Sequence, residues 1–150
     1  FTGDKSSDFL YKCLFNANIS NQSRSDHVND GLKIKNAFIT PALKCVPPED
    51  KPLKVELDNC FKYFNNELNI LKNLKVVVAL GKIAFDTCKI FYSEKFEIPK
   101  HFQFGHGKIY KLKNGINLVG CYHPSPRNVN TGRINEKMMT DLFNKIKKLN

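Results

Sequence analysis

His123, Ser125, Arg127 and Asn128 stand together in the run Cys121-Tyr122-His123-Pro124-Ser125-Pro126-Arg127-Asn128-Val129-Asn130-Thr131-Gly132-Arg133. An imidazole, a hydroxyl, a guanidinium and an amide in so short a span can donate to a carbonyl, hold a phosphate and move a proton. Pro124 and Pro126 fix φ on both sides of Ser125 and restrict the residues before them, leaving these groups little freedom. Arg127 and Arg133 are two of only three arginines, the third being Arg24. Their always-charged, planar guanidinium groups suit phosphate contacts. The same residues would also serve as a plain strand-to-helix connection, with Pro, Asn and Gly making turns and His123 satisfied by backbone.

A loop of this kind needs a strand to leave from. Ile116 to Val119 is a short apolar run bounded by Gly115 and Gly120, which suits a buried strand. In open α/β sheets, ligands bind beyond the C-terminal ends of such strands. Lys108 to Leu112 and Ile116 to Val119 flank Asn114-Gly115, a favoured hairpin turn. Val76 to Leu80 is a mostly β-branched run closed by Gly81, with Ile83, Ala84, Phe85, Cys88 and Phe91 following at helical spacing. It reads as a buried parallel strand feeding a helix. Gly81 alone, without a spaced glycine triplet, is no dinucleotide fingerprint.

Apolar residues at three and four predict helices over residues 6–16 (Phe9, Leu10, Cys13, Leu14), 54–71 (Leu57, Phe61, Phe64, Leu68, Leu71) and 135–149 (Met138, Met139, Leu142, Phe143, Ile146). Residues 34–40 read as a further strand, and residues 17–33, the proline-rich 45–52 and 93–107 as irregular. Strands alternating with helices predict one α/β domain, and 150 residues suffice for its core.

The formal net charge is +10, which points to an anionic partner, nucleic acid ahead of a membrane surface. Lysine supplies nearly all of the excess, so a solvated basic surface is the plainer alternative. No run approaches about 18 apolar residues and no signal-like segment opens the chain, so the expectation is a soluble, cytoplasmic protein without a membrane partner. The chain begins abruptly at Phe1 and reads as the C-terminal part of something longer. Five cysteines do not resemble a secreted disulfide framework. Cys45 lies in the proline-rich segment and Cys60 on the following helix. Metal ligation is open to this pair, but a tetrahedral or cubane site takes about four ligands. The rest would come from upstream of Phe1 or from Cys13, Cys88 or Cys121, of which the last two look like small core residues.

Four segments occur in order: Phe1-Thr2-Gly3-Asp4-Lys5-Ser6, Ile39-Thr40-Pro41 through Cys45-Val46-Pro47-Pro48-Glu49-Asp50-Lys51-Pro52, Val78-Ala79-Leu80-Gly81-Lys82-Ile83-Ala84, and Tyr122-His123-Pro124-Ser125 through Arg133. Together they resemble the iron-sulfur uracil-DNA glycosylases, most closely the type 5 group, over nearly the whole chain. The resemblance implies a three-layer α/β/α sandwich with a mostly parallel central sheet, lacking its N-terminal portion. It implies hydrolysis of the N-glycosidic bond of uracil, or of another damaged base, flipped out of DNA by a monomeric enzyme. It implies a structural 4Fe-4S cluster, with Cys45 and Cys60 as two ligands and two more upstream. His123 would donate to the base carbonyl as the anion forms, and Asp4 would orient water or stabilise the sugar cation. Ser125, Arg127 and Asn128 would meet the DNA beside the flipped nucleotide, and His106 would contact DNA.

Two positions depart from the relatives. Pro41 stands where type 4 enzymes carry Asn, and Asp50 where type 5 members often do. Proline offers no side-chain hydrogen bond, and a carboxylate at Asp50 accepts from a base imide but cannot donate. A broad deaminated-base range would follow. A DNA-binding relative without chemistry, and an iron-sulfur or zinc module, are the competing readings. The first would keep salt-sensitive DNA affinity and the second would lack it.

Overall fold

The computed structural model describes residues 3–47 and 52–149. Its elements are α1 (Lys5–Asn16), α2 (Lys54–Ile70), β1 (Val76–Leu80), α3 (Lys82–Ser93), β2 (Ile109–Lys111), β3 (Asn117–Cys121), α4 (Pro126–Asn130) and α5 (Glu136–Ile146), the last continued by a 3-10 turn, Lys147–Leu149.

Helix starts follow local chemistry. The Asp4 carboxylate accepts the Ser7 N–H at 2.7 Å to cap α1, Glu56 reaches back to the Leu53 N–H at 2.7 Å at the head of α2, and Asn135 accepts from the Met138 N–H at 2.9 Å to cap α5. Each satisfies an N–H that the first helical turn leaves without an intrahelical partner.

The three strands lie in the order β1-β3-β2. β1 runs parallel to β3, from Val76 opposite Asn117 to Leu80 opposite Cys121. β2 runs antiparallel to β3, Ile109 opposite Val119 and Lys111 opposite Asn117. Gly115 turns that hairpin at φ +85, as Asn114-Gly115 predicts. The sheet is therefore mixed, with one parallel and one antiparallel pairing among the described residues.

Side chains alternate across the strands and feed two cores. Val119 and Cys121, with Val76, Val78 and Leu80, pack against Leu10, Cys13 and Leu14 of α1 and Met139, Leu142, Phe143 and Ile146 of α5. Leu118, with Val77 and Ala79, packs on the other face against Phe64 of α2 and Phe85, Cys88, Phe91 and Tyr92 of α3. Helices on both faces of a sheet make three layers, the α/β/α architecture. Burying β3 between them is what allows its last residue to aim a loop at one edge of the domain. Among the described residues no helix is long and apolar enough to cross a membrane.

Two expectations need correction. Residues 34–40 form no strand: Ile34 makes a single bridge to Ser20, and the run then breaks at Asn36, whose φ of +52 is left-handed. Phe38, in the apolar second half of the run, is 59% exposed. The segment after β3, read as a loop connecting strand to helix, contains α4. Ser125 caps it and Pro126 occupies its first turn, a start signal that was present, but five residues carry no apolar periodicity to mark a helix.

Candidate active site

The parallel pairing of β1 and β3 brings two chain turns side by side. The Gly81 N–H continues the ladder by donating to the Cys121 carbonyl at 2.8 Å. The chain then leaves β1 into α3 at Gly81, whose φ is +101, and leaves β3 through Tyr122 to His123. A Cβ built on Gly81 would lie 3.3 Å from the His123 Cβ. The bare glycine backbone therefore forms one wall of the space His123 occupies.

His123 retains an exposed surface, as a group meeting a ligand must. Protein packed around the ring nevertheless makes its charged form costly, so desolvation holds its pKa below the ordinary 6.5, and the Asp4 carboxylate pulls it partly back. Asp4 and His123, far apart in sequence, thus share one electrostatic environment. The exposed Asp4 carboxylate is positioned by its own cap: Oδ1 takes the Ser7 N–H, and Oδ2 has no hydrogen-bond partner among the described residues.

The loop beyond His123 is braced from within. Pro124 is buried, the Ser125 hydroxyl accepts the Asn128 N–H at 3.4 Å, and the Asn128 side-chain amide donates to the His123 carbonyl at 2.9 Å. Asn128, expected to meet DNA, is in the structure a clamp on the backbone of His123. Arg127 projects from α4, exposed, without a carboxylate partner among the described residues.

His106 sits under the same loop, half-buried. Its Nδ1 accepts the Tyr122 N–H at 3.3 Å, and its ring stacks on that of Tyr122 with centroids 5.3 Å apart. Burial keeps its imidazole below its ordinary pKa, against a pull from the Met138 backbone. Arg133 places its guanidinium 4.6 Å from the centre of the same tyrosine ring, a cation–π contact. Sequence reasoning did not single out Tyr122. Its only signal was an aromatic residue just before His123. Asp50 lies outside the described residues.

Cys45 and Cys60 form a second, separate centre. Cys45 is exposed and Cys60 buried. The Lys44 N–H points to the Cys60 sulfur at 3.3 Å, and the Cys45 thiol pKa is raised, first by loss of hydration and then by the neighbouring Cys60 thiol. The Lys44 ammonium pins this loop to α2 through Glu67 at 2.6 Å. Two neighbouring thiols, one of them receiving a backbone N–H, could supply two of the about four ligands that a thiolate-ligated cluster takes. Among the described residues no third Cys, His, Asp or Glu joins them.

The family described as the uracil DNA glycosylase superfamily matches residues 1–147. A type-5 uracil-DNA glycosylase of Mycobacterium bovis is 37% identical over 150 residues, 99% of this chain and 55% of its own length. One of Thermus thermophilus is 35% identical over 150 residues, 99% of this chain and 66% of its own. A type-4 uracil-DNA glycosylase of Archaeoglobus fulgidus is 26% identical over 99 residues, 63% of this chain and 48% of its own. The chain thus spans little more than half the length of the first of these relatives.

Proposed function

We propose that this chain, which belongs to the uracil DNA glycosylase superfamily, carries the base-excision chemistry of an enzyme that hydrolyses the N-glycosidic bond of uracil in DNA. The observation that carries this reading is the meeting of His123, Gly81 and Asp4 at the C-terminal ends of two parallel strands. Breaking the bond leaves positive charge on the sugar and negative charge on the departing pyrimidine. His123 donates a hydrogen bond to the base oxygen where that negative charge gathers. A preorganised donor of this kind lowers the barrier by about 3 kcal/mol.

A depressed pKa keeps the imidazole neutral at physiological pH, so it donates one proton-bearing nitrogen without itself ionising, and water exclusion strengthens the interaction. Asp4 faces the sugar side. Its Oδ1 is held by Ser7, which leaves Oδ2 to orient the attacking water or to offset the sugar cation. Ser125 and Arg127 meet phosphates flanking the flipped nucleotide. Asp50 accepts from a base imide, and the lack of an amide at Pro41 favours a range that includes other deaminated bases.

Cys45 and Cys60 would hold two corners of a 4Fe-4S cluster, which when bound staples the proline-rich loop to α2. The enzyme acts as a cytoplasmic monomer on DNA. The excess of lysine supplies its salt-sensitive attraction to the backbone.

The test is cleavage of a labelled duplex bearing one uracil, followed by alkali, with the full-length protein and its His123→Ala variant. Breakage that the substitution lowers about a hundredfold supports the reading. No breakage on uracil, hypoxanthine or hydroxymethyluracil, with salt-dependent binding retained, would make the protein a DNA-binding relative instead.

A further inference from the structure

The ladder between β2 and β3 does not end where the strands do. The Gly120 N–H donates to Lys108 O at 3.0 Å, and the Gly107 N–H donates to Gly120 O at 2.8 Å. The next inward amide of this edge belongs to Tyr122. Among the described residues no backbone carbonyl receives it, and His106 Nδ1 takes the place at 3.3 Å. The neighbouring loop can come this close because Gly120 lacks a side chain: a Cβ there would overlap the Gly105 carbonyl oxygen. An imidazole whose Nδ1 accepts an N–H is unprotonated at that atom and neutral, so its proton sits on Nε2. The ring also stacks on Tyr122, and Tyr122 is bonded directly to His123.

We propose that His106 is a positioning residue for His123: its Nδ1 substitutes for a strand carbonyl on the Tyr122 N–H, and its ring face braces the Tyr122 ring, fixing the peptide from which His123 projects. This rests on the reading of His123 as the group that binds the departing base. It replaces DNA contact through Nδ1 of His106, because that nitrogen is occupied by the protein's own backbone. A positioning role through a side chain, where a strand carbonyl would otherwise serve, explains why a histidine stands in a glycine-flanked turn. Gly105 and Gly107 let the backbone double back while the ring reaches the end of β3.

Three measurements on the full-length protein decide the matter. Nitrogen NMR of the histidine rings should show His106 unprotonated at Nδ1 at neutral pH; a protonated Nδ1 overturns the proposal without any variant. His106→Asn places an acceptor oxygen near the Nδ1 position, and should retain slow exchange of the Tyr122 amide and single-turnover uracil excision within about threefold of wild type. His106→Leu, of similar bulk but without an acceptor, should lose that protection and slow excision about tenfold or more, with affinity for an abasic duplex unchanged. Equal losses in both variants would overturn the acceptor role, and weaker duplex affinity with an unchanged excision rate would return His106 to DNA contact. If His106→Leu fails to fold, the ring tautomer and His106→Asn still decide. If wild type excises nothing, the glycosylase reading fails, while ring tautomer and amide exchange continue to test the geometry on their own.

Discussion

A side chain on Gly81 would reach within 3.3 Å of the Cβ of His123, so the turn after β1 and the loop after β3 share one wall. Gly81 also holds φ at +101 with ψ at 166, a region essentially confined to glycine, where an L-residue costs roughly 1–3 kcal/mol. Gly81→Ala should therefore destabilise the full-length protein by about that amount in urea titration, and slow excision further by displacing His123. A variant with unchanged midpoint and unchanged rate would show that the wall is not tight.

The imidazole of His123 should titrate below 6.5 in proton NMR, since desolvation outweighs the pull of Asp4. Because Asp4 raises that pKa, Asp4→Asn should lower it further. The sign for stability follows: just below pH 6.5 the unfolded chain binds the proton that the native state refuses, so the contribution is full above that pH and is lost on acidification. An acid limb of excision lying above pH 6.5, or a His123 pKa that rises in Asp4→Asn, would contradict this arrangement.

Asn128 should matter through backbone geometry. Asn128→Ala removes the amide that donates to the His123 carbonyl at 2.9 Å; the expected loss is about 1 kcal/mol of stability, with excision slower by about tenfold. Asn128→Asp should be worse, because a carboxylate accepts only and would face that carbonyl with like partial charge. Equal rates for the two variants at pH 8 would refute the clamp.

Cys60→Ser in the full-length protein should lower iron content and visible absorbance as well as thermal stability, because Cys60 is the buried member of the pair and receives the Lys44 N–H at 3.3 Å. Full iron occupancy in that variant would remove Cys60 from the ligand set.

Much of this architecture is written locally in the chain. Val76 to Leu80 reads as a buried strand from its own composition, Asn114-Gly115 fixes the hairpin, and the spacing of Met139, Leu142, Phe143 and Ile146 marks the inner face of α5. Segment 34–40 defeats the same reasoning because one left-handed residue, Asn36, cancels an apolar pattern that composition alone supports. The site is less legible for a different reason. Asp4 and His123 are brought together by the packing of α1 beside the sheet, and the partner of the Tyr122 amide lies sixteen residues away at His106. No period in the sequence encodes such a meeting. The Pro-Ser-Pro-Arg-Asn run announces a rigid loop, but the direction of the Asn128 side chain depends on the first turn of α4.

The cysteines buried in the helices and the sheet give the chain a chemical gauge of its own folding. Burial pushes the Cys13 thiol up to about 11, and those of Cys88 and Cys121 up to about 12, so at neutral pH they are protonated, shielded and inert. Cys45 alone is exposed. A thiol-alkylating probe will therefore mark one position on the native chain and five once the layers separate. The number of labels per molecule then counts unfolding directly, and protection of the first of them reports whether the Cys45–Cys60 pair has been occupied.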